Sequence, residues 1–269
     1  MRSDHPLRIF SLSDVVGDCG SCPIRFQAMC SRCNGDELAM LDKMKSYRTF
    51  AKGEAIANVG EELRYFGTLV SGIAEISQGL EDGRRQIMGI LMPSDFVGWP
   101  YRRISQFDVN AVSEVVMCRF DMVSFERLVE QVPSLGSRLL EMTMDELDAA
   151  RAWMMVLGQK TAREKMASLM YIIALRNVSF KLDDMVSEVA FELPLTRKQI
   201  ADYIGLTLET VSRQISALKS SGIIAIEGQR HIIIKDPIAL HAEAGDLWSK
   251  ALPNTTKFVN SGQIVRGND

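Results

Sequence analysis

The chain of 269 residues carries 31 Lys and Arg against 34 Asp and Glu, a net charge of −3, and 46% of it is hydrophobic. That is enough length and apolar content for two folded domains, and the charge balance leaves neither a polybasic arm nor an acidic tail. No apolar run of about 18 residues is present to span a membrane, and the polar N-terminus lacks a signal-peptide core. A cytoplasmic protein with no membrane partner is expected, and there the five cysteines serve as metal ligands or free thiols rather than disulfides.

Residues 1–18 show no period and read as a loose arm. Cys19, Cys22, Cys30 and Cys33 then crowd together, with Cys118 alone far downstream. The pattern C-x2-C-x7-C-x2-C is a reasonable zinc knuckle. Cys118, in an apolar strand, reads by itself as a small buried hydrophobe. Asn34 to Lys45 reads as a short capped helix with Leu38 and Leu41 inward. From Tyr47 to Phe120 short apolar runs alternate with glycines, the texture of a small antiparallel β-roll of the cupin-like jelly-roll kind. Its clearest hairpin turn is Glu81-Asp82-Gly83.

Pro133 opens a long helix expected to run to about Leu157, with two apolar stripes. Leu140, Thr143, Leu147, Ala150, Met154 and Leu157 have the 3–4 spacing of a two-stranded coiled-coil seam. Leu139, Met142, Ala149, Trp153 and Val156 form a second stripe suited to packing on the β-roll. One wide face buried within a monomer is the other arrangement open to such a pattern. A helix apolar on two sides more often needs a partner, so a homodimer is expected. A further helix is predicted over Thr161–Leu175, then a polar loop from Asn177 to Glu188.

The stretch Leu195 to Gly222 has the form of two helices about a tight turn. Thr196 suits the first N-cap, and Ile200, Ala201 and Ile204 give that helix one apolar stripe. Gly205 stands where positive φ is needed. Thr207 caps the second helix, whose Val211, Ile215 and Leu218 face inward. Glu209, Ser212 and Arg213, at i, i+3 and i+4, project together from its outer N-terminal half. They are either a solvated face with an intrahelical ion pair or a set of base-reading side chains, since Arg pairs with guanine, Glu accepts from cytosine N4, and Ser donates to a base edge or phosphate. Between Thr196 and Lys235, Arg197, Lys198, Arg213, Lys219, Arg230 and Lys235 outnumber Asp202, Glu209 and Glu227. With the two-helix frame, this local basic excess favours double-stranded DNA. Ile223 to Ile234 then reads as a hairpin wing, and the polar sequence after Asp246 as a frayed tail. The expected fold class is α+β: an arm (1–33), a β-roll (34–131), a dimerisation helix (132–158), a winged helix-turn-helix (159–246) and a tail (247–269).

This order of parts resembles the CRP/FNR superfamily of bacterial transcription regulators over roughly residues 19–245. The sharpest matches are Leu206-Thr-Leu-Glu-Thr-Val-Ser-Arg213, Asp95-Phe-Val-Gly98 and Leu195-Thr-Arg-Lys-Gln-Ile-Ala-Asp-Tyr-Ile-Gly205. The trio Glu209, Ser212 and Arg213 is similar to that of the FNR branch. The resemblance implies a two-fold TTGAT-N4-ATCAA-like site, one half per subunit, with Thr196, Arg197, Thr207 and Lys219 as flanking DNA contacts and RNA polymerase as a partner. Cyclic-nucleotide relatives bind phosphate with Gly-Glu-Leu and a following Arg-Ser. Here Gly98-Trp99-Pro100 stands in that place, followed by Tyr101 and Arg102-Arg103, so no cyclic nucleotide is expected.

In FNR-type regulators three N-terminal cysteines and one central cysteine hold an oxygen-labile [4Fe–4S] cluster, one thiolate per iron. That likeness assigns Cys19, Cys22 and Cys118 as ligands and leaves Cys30 and Cys33 to compete for the last place. Cys30 is chosen, because its C-x7-C gap resembles a family variant and it closes the smaller ring with Cys22. The expectation is an oxygen-responsive regulator that dimerises on DNA when the cluster is present. The alternatives are a zinc-containing or cluster-free family member answering another redox signal or nitric oxide, and an iron–sulfur redox protein. His5, His231 and His241 have no partner spacing, and no phosphate loop, G-x-S-x-G or H-E-x-x-H motif occurs, which argues against an enzyme.

Overall fold

The computed structural model describes residues 17–177, 188–228 and 230–245. All but the last two residues of the expected loose arm (1–18), nearly all of the polar loop before Glu188 and the expected tail after Asp246 lie outside the described residues. The chain divides into two compact units, one of Met1–Met144 with Pro194–Tyr203, the other of Asp145–Leu193 with Ile204–Asp269.

In the first unit, helix α1 (Gly35–Met44) begins at a capping box. The Asn34 side chain accepts from the Glu37 N–H at 3.0 Å, and the Glu37 carboxylate accepts from the Asn34 N–H at 2.8 Å. Two orphan donors are thereby satisfied, and Leu38 and Leu41 are buried as expected. Eight strands follow: β1 (Ser46–Phe50), β2 (Ala55–Ala57), β3 (Tyr65–Ser71), β4 (Ala74–Gly79), β5 (Arg85–Leu91), β6 (Phe96–Val97), β7 (Asp108–Ala111) and β8 (Val115–Asp121). They pair antiparallel into two four-stranded sheets, ordered β1-β8-β3-β6 and β2-β7-β4-β5. This is the expected roll. The β4–β5 turn closes where Leu80 N–H donates to Arg84 at 2.8 Å, with Gly83 at φ +86, a value that strains any residue with a Cβ.

Strand alternation gives the first sheet two working faces. On β8 and β3, Val115, Met117 and Leu69 enter a core shared with Phe50, Leu91 and Val109. Val116 and Phe120 on β8, with Phe66 and Val70 on β3, join other clusters that include residues of the N-terminal loop. Helix α2 (Met122–Gln131), which the sequence reading passed over, adds Met122, Phe125 and Leu128 to that outer layer. The Phe66 and Phe125 rings stack at 4.1 Å.

Helix α3 (Pro133–Gln159) has nearly the expected span. The first half of its second stripe packs on the roll as expected. Leu139 joins the outer-layer core and Met142 packs against it, whereas Trp153 and Val156 are buried but belong to the second unit. The helix runs across the boundary between the units at Met144–Asp145.

In the second unit, Thr161 and Glu164 cap helix α4 (Ala162–Asn177), the Glu164 carboxylate accepting from the Thr161 N–H at 2.7 Å. The wing forms from β10 (Ile224–Glu227) and β11 (His231–Ile234), and an unanticipated strand, β9 (Val189–Glu192), pairs with β11. Helix α7 (Pro237–Ala244) was also not anticipated; it packs on α4. Arg163 on α4 grips Glu243 on α7 with two bonds of 2.8 Å.

Candidate metal centre and nucleic-acid interface

The segment carrying four of the five cysteines contains neither helix nor strand from Gly17 to Cys33. It is a chain of turns: Arg25 N–H to Cys22, Ala28 N–H to Ile24, Ser31 N–H to Ala28 and Cys33 N–H to Cys30, all between 2.9 and 3.1 Å. Ile24 and Ala28 anchor it on Val70 and Val116 of the first sheet. Polar ties fix it at two points. Cys19 N–H donates to Asp42 at 3.0 Å on α1, and Arg138 on α3 donates to the Gln27 carbonyl at 2.9 Å. A more exposed pair, Arg32 with Glu141, stands at 2.5 Å.

Between this loop and the sheet lies a cavity of about 20 Å3, lined by Cys19, Cys22, Cys30 and Cys118 together with Tyr47 and Thr68. Cys118 sits on the outward face of β8, directly opposite Tyr47 on β1 and Thr68 on β3. Three strands therefore present Tyr47, Cys118 and Thr68 as one row. Cys33 is not among the lining residues; it is 4% exposed in the outer-layer core.

All five thiols are raised above the ordinary cysteine range, burial being the largest cause in each. Cys19 and Cys30 are pushed up to about 11. Cys118 is raised furthest, with Cys19 and Cys22 adding to the effect of burial. A charge placed on one thiol is thus felt by the others, so deprotonating the set calls for positive charge among them. Lys45 supplies some from outside, with Nζ 3.8 Å from Cys19 Sγ and 2.5 Å from Asp42.

These residues fit a sulfur-ligated group by donor chemistry, since four thiols and the buried Thr68 hydroxyl, which has no partner among the described residues, meet at one apolar-walled space. The volume is about the room of one water. A four-iron cube is larger, so holding one requires the loop of turns to stand further off the sheet. Among the described residues, no three Cys, His, Asp or Glu side chains gather closely enough to hold a single metal ion. Lys45, Tyr47, Thr68 and Arg138 were missed by the sequence reading. They are second neighbours of the thiols, and only strand register or helix contact reveals them.

The segment compared with a nucleotide-binding motif is occupied by its own contacts. Trp99 packs edge-on to Phe96 at 4.8 Å, and Arg103 pairs with the buried Glu126 at 2.5 Å. Glu126 also accepts from the Tyr101 N–H at 2.6 Å.

The DNA-reading candidates lie on α5 (Arg197–Ile204) and α6 (Leu208–Ser220). Thr196 and Gln199 form a capping box, with N–H bonds of 2.9 and 3.2 Å. Gly205 at φ +64 turns the chain, and the Thr207 side chain caps α6 by accepting from the Thr210 N–H. Val211, Ile215 and Leu218 are buried. On the opposite face Glu209 and Arg213 are 81% and 68% exposed and 4.0 Å apart, a loose pair that leaves both free to take other partners. Ser212 is half-buried beside them, and Lys219 is exposed in the last turn. Along α3, Leu140 is 61%, Leu147 40% and Met154 71% exposed; Ala150 is exposed as well, and Leu157 half-buried.

Residues 164–243 match the Crp-like helix-turn-helix domain, and residues 47–132 match the cyclic nucleotide-binding domain. The transcriptional activator protein FnrL of Cereibacter sphaeroides is 49% identical over 247 residues, 92% of this chain and 100% of that protein. The nitrogen fixation regulation protein FixK of Bradyrhizobium diazoefficiens is 35% identical over 77% of this chain and 86% of its own. Among solved structures, FixK2 from Bradyrhizobium japonicum aligns with a TM-score of 0.67 at 29% identity, covering 75% of this chain and 98% of that one. A CooA variant from Carboxydothermus hydrogenoformans shares the fold, with a TM-score of 0.63 at 21% identity, covering 77% and 90%. The chain belongs to the CRP/FNR superfamily of DNA-binding transcription regulators, which are not enzymes.

Proposed function

We propose that this regulator answers oxygen through a [4Fe–4S] cluster held by Cys19, Cys22, Cys30 and Cys118, and reads a TTGAT-N4-ATCAA-like palindrome as a homodimer. The observation that carries the reading is the common cavity of these four thiols, three from the loop and one from the roll. A zinc knuckle of Cys19, Cys22, Cys30 and Cys33 has no use for Cys118, and Cys33 stands apart from the cavity the others share. A single zinc ion also draws its sulfurs to about 2.3 Å from one centre, whereas a cube takes each thiolate at a separate corner. Arg103, engaged by Glu126, supports a regulator that works without a cyclic nucleotide.

When bound, the cluster supplies four positively charged irons that offset the cost of thiolate in a buried place, and an oxygen-reactive core. The chain does the rest. Cys118 ties the loop to β8, and Arg138 carries the loop's position to α3 through the Gln27 carbonyl. The stripe of Leu140, Leu147, Ala150, Met154 and Leu157 then pairs with its symmetry mate. Two copies of α6 enter successive major-groove turns, where each Arg213, Glu209 and Ser212 reads one half-site. RNA polymerase is the partner through which binding acts on transcription, in the cytoplasm.

The experiment is anaerobic purification of the full chain with a visible absorption spectrum and iron and sulfide analysis, followed by DNA binding before and after air. About four irons and four sulfides per chain, with palindrome binding lost in air, are expected. Stoichiometric zinc without sulfide, or binding indifferent to air, overturns the reading.

A further inference from the structure

Thr68 is 2% exposed, and among the described residues its hydroxyl has no hydrogen-bond partner. It stands opposite Cys118 across the β3–β8 ladder and lines the cavity shared by the four thiols. On the other side of Cys118, Tyr47 lies beside Lys45, whose Nζ is 5.5 Å from the ring centre. Thr68 has no such neighbour. A hydroxyl shut away from water without an acceptor is costly, and a valine of the same shape and greater strand propensity avoids the cost. The missing acceptor is therefore expected in the cavity. The thiols around it are weak acceptors, and thiolate or sulfide sulfur is a far better one.

We propose that Thr68 is a positioning residue that donates a hydrogen bond to the sulfur-rich group held by Cys19, Cys22, Cys30 and Cys118, and thereby sets its electron affinity. This rests on the cluster reading and adds to it a residue outside the ligand set. A donor to sulfur stabilises the more electron-rich oxidation state, so the bond raises the midpoint potential. It also fixes the group against the roll, because Thr68 is held by the sheet while three of the four ligands ride on the loop.

The test compares the full wild-type chain with Thr68→Val, Thr68→Ala and Thr68→Ser, each prepared anaerobically. Thr68→Val and Thr68→Ala should take up iron and sulfide with a more negative midpoint potential. At the wild-type midpoint the reduced-to-oxidised ratio should fall about three- to tenfold, the size that one neutral hydrogen bond commonly carries. Thr68→Ser, which keeps the hydroxyl, should return towards wild type. Iron-free Thr68→Val should unfold at higher urea than the iron-free wild type, because it removes an unsatisfied group; a residue with a merely structural bond gives the opposite sign. A wild-type potential in both Thr68→Val and Thr68→Ala overturns the proposal and leaves the cluster reading standing. A wild-type chain that takes up neither iron nor sulfide overturns both.

Discussion

Cys30 and Cys33 are three residues apart yet face different surroundings: Cys30 lines the cavity with Cys19, Cys22 and Cys118, while Cys33 does not. The turn in which Cys33 N–H donates to the Cys30 carbonyl at 3.1 Å separates them. Cys33 is then held in the core beside the first turns of α1 and α3, where burial raises its thiol. Serine at 19, 22, 30 or 118 should abolish the anaerobic visible absorption and air-sensitive DNA binding. Serine at 33 should keep both, with a modest loss of stability. Absorption spectra of the five variants decide, and a spectrum lost at 33 but kept at 30 reverses the assignment.

Arg138 is 5% exposed, and its guanidinium bridges two elements, donating to the Gln27 carbonyl at 2.9 Å and to Glu141 at 3.1 Å. Arg138→Met keeps most of the apolar stem and removes the fork. It should cost about 1–3 kcal/mol in urea unfolding, because the Gln27 carbonyl loses a charged donor. Iron uptake should survive while the anaerobic dimer fraction falls, since the link from loop to α3 is cut. Sedimentation of the loaded protein checks this; an unchanged dimer with intact iron removes Arg138 from the coupling route.

Much of this was legible in residue order because the signals are local. The capping boxes at Asn34 and Thr196, the glycine turn at Gly205 and the stripe of Val211, Ile215 and Leu218 depend on neighbours within a turn or two. Helix α2 was legible but passed over: Asp121 caps it, with its side chain accepting from Ser124 N–H at 3.0 Å, and Met122, Phe125 and Leu128 keep helical spacing. Strand β9 was beyond reach, because four residues become a strand only by pairing with β11 across some forty positions. Thr68 likewise carries no local mark. Its place beside Cys118 follows from the β3–β8 register, which no short window of sequence encodes.

The exposed stripe of α3 should act as the dimer seam. Ala150→Asp sets two carboxylates against each other across the two-fold axis, and like charges facing in a seam are destabilising. The anaerobic protein should shift towards monomer and lose palindrome binding, with its monomer stability within about 0.5 kcal/mol of wild type because the site is exposed. Sedimentation of the loaded protein measures it. Unchanged dimerisation places the seam elsewhere.

Arg163 holds the Glu243 carboxyl below its usual range through the bonds that join α4 to α7. A carboxylate with a lowered folded pKa stabilises the protein fully above the unfolded glutamate value, about 4.3, and ceases to do so as pH falls through the folded value. Glu243→Gln should therefore be less stable than wild type at neutral pH by about 0.5–1 kcal/mol, a figure kept small because both side chains are about one-third exposed. The gap should close as pH drops below the ordinary glutamate range. Urea midpoints of the pair across pH 3 to 7 (about the span over which the carboxyl titrates) test it, and a gap independent of pH assigns the loss to packing.

Arg213 and Lys219 are both exposed cations on α6, and their positions assign them different work. Arg213 lies in the N-terminal half, with its guanidinium donating to Thr210 Oγ1 at 3.3 Å and standing 4.0 Å from Glu209. Neither contact is tight, so the fork can turn to the paired acceptors of a guanine at little expense. Lys219 lies in the last turn, where a point charge suits a phosphate and carries no base information. Arg213→Ala should cost about 1–3 kcal/mol per half-site on the matched palindrome and much less on a site altered at the base it reads. Lys219→Ala should weaken matched and altered sites alike and lower the salt slope by about one. Titrations of both variants on both duplexes at two or more salt concentrations separate these outcomes. If Arg213→Ala leaves the base preference untouched while flattening the salt slope, Arg213 is a phosphate contact, and base reading passes to Glu209 and Ser212.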